Sequence, residues 1–343
     1  MNILGIETSC DETAAAVVSS PLNVRSNVIA TQIASHVPYG GVVPELAARE
    51  HVTALSPVLE AAVHESGLDW GELDAVAVTQ GPGLSSSLLS GLSAAWGVSQ
   101  RLDIPCYPVN HMEGHLLSFF LERADVADHL PALVLLVTGG HTALIRLNAP
   151  GEYVLLGRSI DDAAGEALDK GARLLDLPYP GGPEIEQLAR QGNAEAMDFP
   201  LGLPTSDEAK RRGGGVALSF SGLKTSLRTK LQREPDLARE DVAASFQKAI
   251  MNTLAQAVHQ GLKSSPGMQS IACVGGVAKN RDLCTRLEEV GEEQDLPLLS
   301  VALPYCTDNA AMIANVALVR NLVASTEPLG ANPNLSLQGM HLR

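Results

Sequence analysis

The sequence predicts a mixed α/β protein built from a duplicated module. Three observations predict it. A short apolar strand, Ile3 to Ile6, runs into the polar turn Glu7-Thr8-Ser9-Cys10-Asp11-Glu12-Thr13 and returns as Ala14 to Val18. The same order recurs as Leu133 to Val137, the turn Thr138-Gly139-Gly140-His141-Thr142, and the return strand Ala143 to Leu147. Each hairpin is followed later by a strand that ends in glycine and opens a helix. These are Ala75 to Val78 before Gly81-Pro82-Gly83, and Ile271 to Val274 before Gly275-Gly276.

Helical patterns fill the intervals at Glu45 to Ser66, Leu84 to Arg101, Asp161 to Leu175, Asp241 to Leu262 and Asp308 to Leu322. Two Gly-rich loops stand out, Pro180-Gly181-Gly182-Pro183 and Gly213-Gly214-Gly215. At about 100–200 residues per domain, the 343 residues suggest two lobes. The first is expected at 1–115, completed by 308–343. The second is expected at 116–307, with an insertion at 157–235 that has no counterpart in the first half. Two such lobes would leave a central cleft. Polar hairpin turns and helix N-termini at its edge would offer backbone N–H groups to phosphate.

Composition narrows the class. Hydrophobic residues are 45% and charged residues 18%, which excludes an intrinsically disordered chain. Aromatics are only 3%, so the core must be Leu, Val, Ile and Ala. The net charge is −15, so nucleic acid must be met by a local basic patch or with a helper protein. The longest apolar run near the middle, Leu130 to Val137, is far short of the roughly 20 residues a membrane span needs. The N-terminus has no basic segment and too short an apolar stretch for a leader, which points to the cytoplasm. The five cysteines contain no C-x-x-C pair and read as reduced, mostly core thiols.

Four constellations carry chemistry. In His111-Met112-Glu113-Gly114-His115 the two imidazoles stand at i and i+4, so one helix face can present both to a metal. Glu113 falls about 200° round the helix from His111 and cannot act as the base of a zinc peptidase. A third ligand is sought in Pro304-Tyr305-Cys306-Thr307-Asp308-Asn309. There Asp308 either caps a helix or completes a His-His-Asp set suited to Fe(II) or Zn(II). Asp162, Glu166 and Asp169 stand at i, i+4 and i+7, a face of like charge that needs ribose hydroxyls, an amine or a metal. Asp169 is the candidate for a ribose diol. Lys210-Arg211-Arg212, Lys224, Arg228, Lys230 and Arg233 form the one dense basic region and are candidates for nucleic-acid phosphate.

Taken in order, these motifs resemble a known family. The matching segments are Ile6 to Thr13, His111 to His115, Val137 to Thr142, Asp161 to Glu166, Pro180 to Pro183, Ser219 to Thr225, Gly275 to Asn280 and Cys306 to Asn309. They look like the bacterial tRNA N6-adenosine threonylcarbamoyltransferases (TsaD family), of the wider group once described as glycoprotein endopeptidases. The resemblance runs from about residue 3 to residue 320. It implies an actin-like ATPase fold, related to sugar kinases and Hsp70. It implies an acyltransferase that moves a threonylcarbamoyl group from threonylcarbamoyl-adenylate to N6 of adenosine 37 in tRNAs reading ANN codons, with release of AMP.

The resemblance also implies one Fe(2+), or Zn(2+) in its place, on His111, His115 and Asp308. Substrate contacts carry over to Leu136, Val137, Thr138, Gly139, Gly140, Asp169, Gly182, Glu186 and Asn280. Expected partners are tRNA, an inert paralogous subunit and a small P-loop ATPase. Glu12 or Asp11 is the candidate acceptor of the N6 proton, and Lys224 and Arg228 are the candidate tRNA contacts. Two positions depart from the family pattern: Leu201 follows Phe199-Pro200 where a basic residue is common, and Lys279 precedes Asn280 where a small one is. The rival readings are an ATPase or small-molecule kinase of the same fold, a metallopeptidase, and a non-catalytic complex subunit. The His-x-x-x-His pair argues against the kinase, whose Mg(II) is held by oxygen ligands. The placing of Glu113 argues against the peptidase, and the intact metal set and glycine turns against the inert subunit.

Overall fold

The computed structural model describes residues 1–20, 23–121, 123, 125–204, 215–337 and 341–342. Lys210, Arg211, Arg212, Gly213 and Gly214 therefore lie outside the described residues. The chain divides into two compact units, Met1–Ala127 with Val301–Gln338, and Asp128–Ser300 with Gly339–Arg343. The divisions fall at 127/128 and 300/301, where 115/116 and 307/308 were expected.

The first unit holds a five-stranded sheet. Its strands are β1 (Asn2–Glu7), β2 (Glu12–Ser19), β3 (Asn23–Thr31), β4 (Ala75–Gly81) and β5 (Cys106–Asn110), in the order β3-β2-β1-β4-β5. The β1–β2 and β2–β3 pairs are antiparallel, and the β1–β4 and β4–β5 pairs are parallel. The helices are α1 (Pro44–Glu65), α2 (Ser85–Leu102), α3 (His111–Leu116) and, after the second unit, α9 (Ala310–Val319). A short helical turn at Ile33–His36 precedes α1.

The second unit repeats the plan. Strands β6 (Ala132–Val137), β7 (Thr142–Ala149) and β8 (Glu152–Ser159) are antiparallel neighbours. Strands β10 (Ser270–Val274) and β11 (Leu298–Ser300) add parallel to β6. The run β8-β7-β6-β10-β11 thus repeats β3-β2-β1-β4-β5, which bears out the duplication. Short strands β9 (Val216–Leu218) and β12 (His341–Leu342) both join β8 in parallel. Helices α4 (Ala164–Leu174), α5 (Gly181–Ala189), α6 (Ser221–Arg233), α7 (Arg239–Ser264) and α8 (Arg281–Gln294) complete the unit.

The central strands carry apolar residues on both faces, as strands covered on both sides must. Ile3, Leu4, Ile6, Val76, Ala77, Leu133, Val134 and Leu135 are fully buried. Cys106, Cys273 and Cys306 are buried, and none of the five cysteines forms a disulfide. Helix α9 packs on β1, and its first turn comes closest at Gly5. A Cβ at Gly5 would stand 2.2 Å from the Ala310 carbonyl oxygen. No helix among the described residues is long and apolar enough to cross a membrane.

Candidate functional site

Helix α3 begins where it does because Asn110 caps it, its side chain accepting from the Met112 and Glu113 N–H groups. That fixes His111 in the first turn and His115 one turn on, with ring centroids 4.8 Å apart. Asp308 reaches them from the loop before α9. Its Oδ1 lies 3.0 Å from His115 Nε2 and 3.6 Å from His111 Nε2. One ligand atom from each of the three residues falls within 4.8 Å of the others. The capping of α9 is done by Asn309, whose Oδ1 accepts from Met312 N–H. Its Nδ2 donates to the Thr307 and Tyr305 carbonyls, which ties down the loop on either side of Asp308. Asp308 is thereby released from the capping role that the sequence also allowed.

Glu7, at the end of β1, was not singled out as a site residue in the sequence and is the site's hidden support. It is fully buried and accepts from Ser9 N–H and the Thr79 hydroxyl. Its Oε2 lies 3.0 Å from His111 Nδ1. That contact holds the Nδ1 proton and leaves Nε2 toward Asp308, the arrangement of a carboxylate behind a metal-ligating histidine. Burial works to lower the His111 pKa, but the Glu7 and Asp308 carboxylates outweigh it and push it up to about 9. Burial works to raise Glu7, and His111 outweighs it, so Glu7 stays ionised below the ordinary carboxylate range. Among the described residues His115 has no such outer partner: its Nδ1 is buried without a hydrogen bond. Glu113 points away, as its phase on the helix requires, and pairs with Arg320.

Two imidazole nitrogens and one carboxylate oxygen, clustered and with one tautomer already set, fit a divalent transition metal with coordination positions left open. The acidic turn between β1 and β2 belongs to the same unit. Asp11 is buried and Glu12 half-buried. Burial, with the Asp308 and Asp11 carboxylates, pushes Glu12 up to about 10. It also pushes the Cys10 thiol far above its ordinary range, which makes Cys10 a poor nucleophile.

In the second unit the remaining candidates form two linked groups. Leu136 and Val137 end β6, and Thr138 closes a tight turn, its N–H donating to the His141 carbonyl. Gly139 and Gly140 at the tip are exposed, and a Cβ on either would meet open space. The start of α4 abuts this turn: a Cβ at Gly165 would lie 2.5 Å from the Thr138 carbonyl oxygen. Gly275, at φ +96°, packs against Val137 and Thr138. Further along α4, Asp169 accepts from the Gly181 N–H at 2.7 Å and from Gly182. Burial raises its pKa against those two bonds.

Glu186 accepts from the Arg281 N–H, beside Asn280. Asn280 is buried and already engaged, with Oδ1 capping α8 and Nδ2 donating to Gln247. The acidic face found its amine: Lys170 pairs with both Asp162 and Glu166 at 2.8 Å. Asp161 lies outside the helix and instead caps α6 through the Phe220 and Ser221 N–H groups. Lys224 and Arg228 stand one turn apart on α6, the first half-buried and the second exposed.

Two sheets of one repeated order, each with a polar hairpin turn, define the actin-like ATPase and sugar-kinase class of α/β protein. The structure is similar to component A of the (R)-2-hydroxyglutaryl-CoA dehydratase of Acidaminococcus fermentans. The TM-score is 0.54 at 12% identity, covering 93% of this chain and 96% of that one. It is similar also to full-length HypF in its phosphate- and nucleotide-bound form, with a TM-score of 0.59 at 13% identity over 93% of this chain and 46% of that one. The family model described as TsaD, tRNA N6-adenosine threonylcarbamoyltransferase, matches residues 23–315, and the chain belongs to that family. A relative of that name from Syntrophobacter fumaroxidans is 48% identical over 329 residues, covering 92% of this chain and 93% of the relative.

Proposed function

We propose that this chain is a transferase that makes N6-threonylcarbamoyladenosine in tRNA. It takes the threonylcarbamoyl group from threonylcarbamoyl-adenylate to N6 of adenosine 37 in tRNAs reading ANN codons. The carbamoyl carbon gains a bond to N6 and loses its bond to the phosphate oxygen, AMP departs, and N6 gives up one proton. The observation that carries this reading is the His111–His115–Asp308 group beside the acidic turn, in a chain of this family.

The mixed anhydride has a good leaving group, so no protein nucleophile is needed. The chain's task is to orient a weak nucleophile and stabilise developing charge. Backbone N–H groups at Gly139 and Gly140 and the start of α4 suit the adenylate phosphate. Asp169 and Gly182 suit the ribose, with Glu186 and Asn280 alongside. His111, His115 and Asp308 would hold one ion, Fe(II) by the donor set, with Zn(II) as the other candidate. Bound there, the ion supplies Lewis acidity and a positive charge that offsets Asp308. Glu12, relieved of one cause of its raised pKa, is the proton acceptor in this reading.

The working site is cytoplasmic, and partners are part of the reading. A chain of net charge −15 meets tRNA poorly alone at physiological salt. The first unit also exposes apolar side chains, Val52 at 70% and Leu89 at 50%, along a groove between α1 and α2. An inert paralogous subunit and a small P-loop ATPase complete the system. The test is reconstitution with unmodified tRNA and threonylcarbamoyl-adenylate, with and without those partners, scored by nucleoside mass spectrometry. Modified adenosine is expected in the complete mixture, and its absence there would overturn the reading.

The two candidate contact sets should fail differently. Asn280→Ala is expected to weaken binding of a non-hydrolysable adenylate mimic with tRNA affinity unchanged. Loss of its cap should also lower stability by about 1 kcal/mol, read separately by thermal melting. Lys224→Ala with Arg228→Ala should spare adenylate binding, weaken tRNA binding and flatten its salt dependence by roughly one unit of slope per lost phosphate contact. Equal loss of both ligands in both variants would refute the partition.

A further inference from the structure

The turn that carries Asp11 and Glu12 is held from below by a chain of buried imidazoles and an amide, none of which belongs to the metal group. His51, on α1, is fully buried. Its Nε2 lies 3.0 Å from the Cys10 carbonyl oxygen. A carbonyl only accepts, so that nitrogen must carry the proton and donate. Its Nδ1 is then a lone pair. It receives the Thr13 hydroxyl at 2.7 Å and the Gln32 side-chain N–H at 3.3 Å. The other end of the Gln32 amide, Oε1, accepts from His36 Nε2 at 3.3 Å. The His36 Nδ1 accepts from Val43 N–H at 3.3 Å. His36, Gln32 and His51 are at most 3% exposed, and the Gln32 backbone N–H also donates to the Asp11 carbonyl.

Every donor and acceptor along this path has one consistent direction, from Val43 through His36, Gln32 and His51 to Cys10. It fixes the Cys10 carbonyl, the Asp11 carbonyl and the Thr13 hydroxyl, the groups that bracket Glu12. We propose that His51 is a positioning residue for the transfer reaction, setting the Asp11–Glu12 turn by donating Nε2–H to Cys10 within this one-way relay. Burial holds His51 below the ordinary histidine pKa, against the opposing influence of the Cys10 carbonyl and of Glu7, Asp11 and Glu50. The ring is therefore neutral at neutral pH, as the relay requires. The proposal rests on the transferase reading only for its kinetic arm.

Two isosteric substitutions divide the ring's two jobs. A Gln amide reaches the Nε2 position and can still donate to Cys10, whereas an Asn amide reaches only Nδ1 and cannot. In the complete reconstituted system, His51→Gln should keep kcat within roughly threefold of the parent. His51→Asn should lose at least about tenfold in kcat, with KM for adenylate and tRNA unchanged, the expected price of a misplaced catalytic turn. Bound metal and melting temperature should be alike in the two variants. Equal turnover in both variants, or a loss in His51→Asn that follows melting temperature or metal content, would overturn the proposal.

A second measurement does not need activity. Nitrogen-15 spectra of the parent protein should show His51 as the neutral Nε2–H tautomer at pH 7, and an Nδ1–H or doubly protonated ring would overturn the relay. If the parent makes no modified nucleoside, the function reading fails while the imidazole spectrum still decides the relay.

Discussion

Replacing His111 and His115 together by alanine is expected to lower bound metal to background while the protein stays folded. Two of the three candidate ligands go, and one carboxylate does not retain a transition ion against buffer. The surrounding sheet does not depend on the rings: α3 is capped by Asn110 and α9 by Asn309, and both caps remain. Elemental analysis and circular dichroism check the two halves of the expectation. Stoichiometric metal in the folded double variant would refute the assignment of the site.

The parent protein should also betray the site through protons. With His111 raised to about 9, an ion must displace its proton at neutral pH. Apparent metal affinity should therefore rise about tenfold per pH unit until about pH 9 and then level. The metal-free protein runs the other way. Because the folded-state pKa lies above the ordinary 6.5, the charged ring's contribution to stability is complete below 6.5 and is lost as pH rises through about 9.

Glu7→Gln is expected to weaken metal binding by about 10–100-fold without touching a ligand, the usual cost of removing the carboxylate behind a coordinating histidine. Gln can still accept from Nδ1–H, so His111 keeps its orientation in part, but it no longer raises the basicity of Nε2. The same substitution removes a principal cause of the raised His111 pKa. The pH dependence of metal affinity near neutrality should accordingly flatten, which a simple packing defect would not produce. Chelator competition at pH 6, 7 and 8 measures both. Unchanged affinity with an unchanged slope would remove Glu7 from the site.

What could be read in advance follows from the range of each signal. The duplication was legible because a hairpin and a strand–glycine–helix unit are local patterns, and the sheet orders repeat as they imply. His111 and His115 were legible because four residues make one helical turn. Asp308 was ambiguous, since a carboxylate before an apolar helix is most often a cap, and only the structure shows Asn309 in that role. Glu7 sits 104 residues before His111 and ends an apolar strand, so nothing local links them. Their meeting is created by the β1-β4-β5 order of the sheet. The Lys170 pairings were within reach, being local, whereas the His36–Gln32–His51 path depends on how α1 lies against the β1–β2 turn.

The bare backbone at Gly5 sets what a genetic screen should find. The residue is two positions from Glu7, touches no candidate ligand, and offers no side chain to mutate away. Yet a single methyl there would collide with the carbonyl of Ala310, two residues after Asp308, at the first turn of α9. The helix would have to lift from β1 and carry the carboxylate with it. A Gly5→Ala allele would thus present as a metal-deficient enzyme, and supplementing the medium with the ion would not cure it. Screens for loss of the modified nucleoside should return lesions at this position that mimic loss of a ligand.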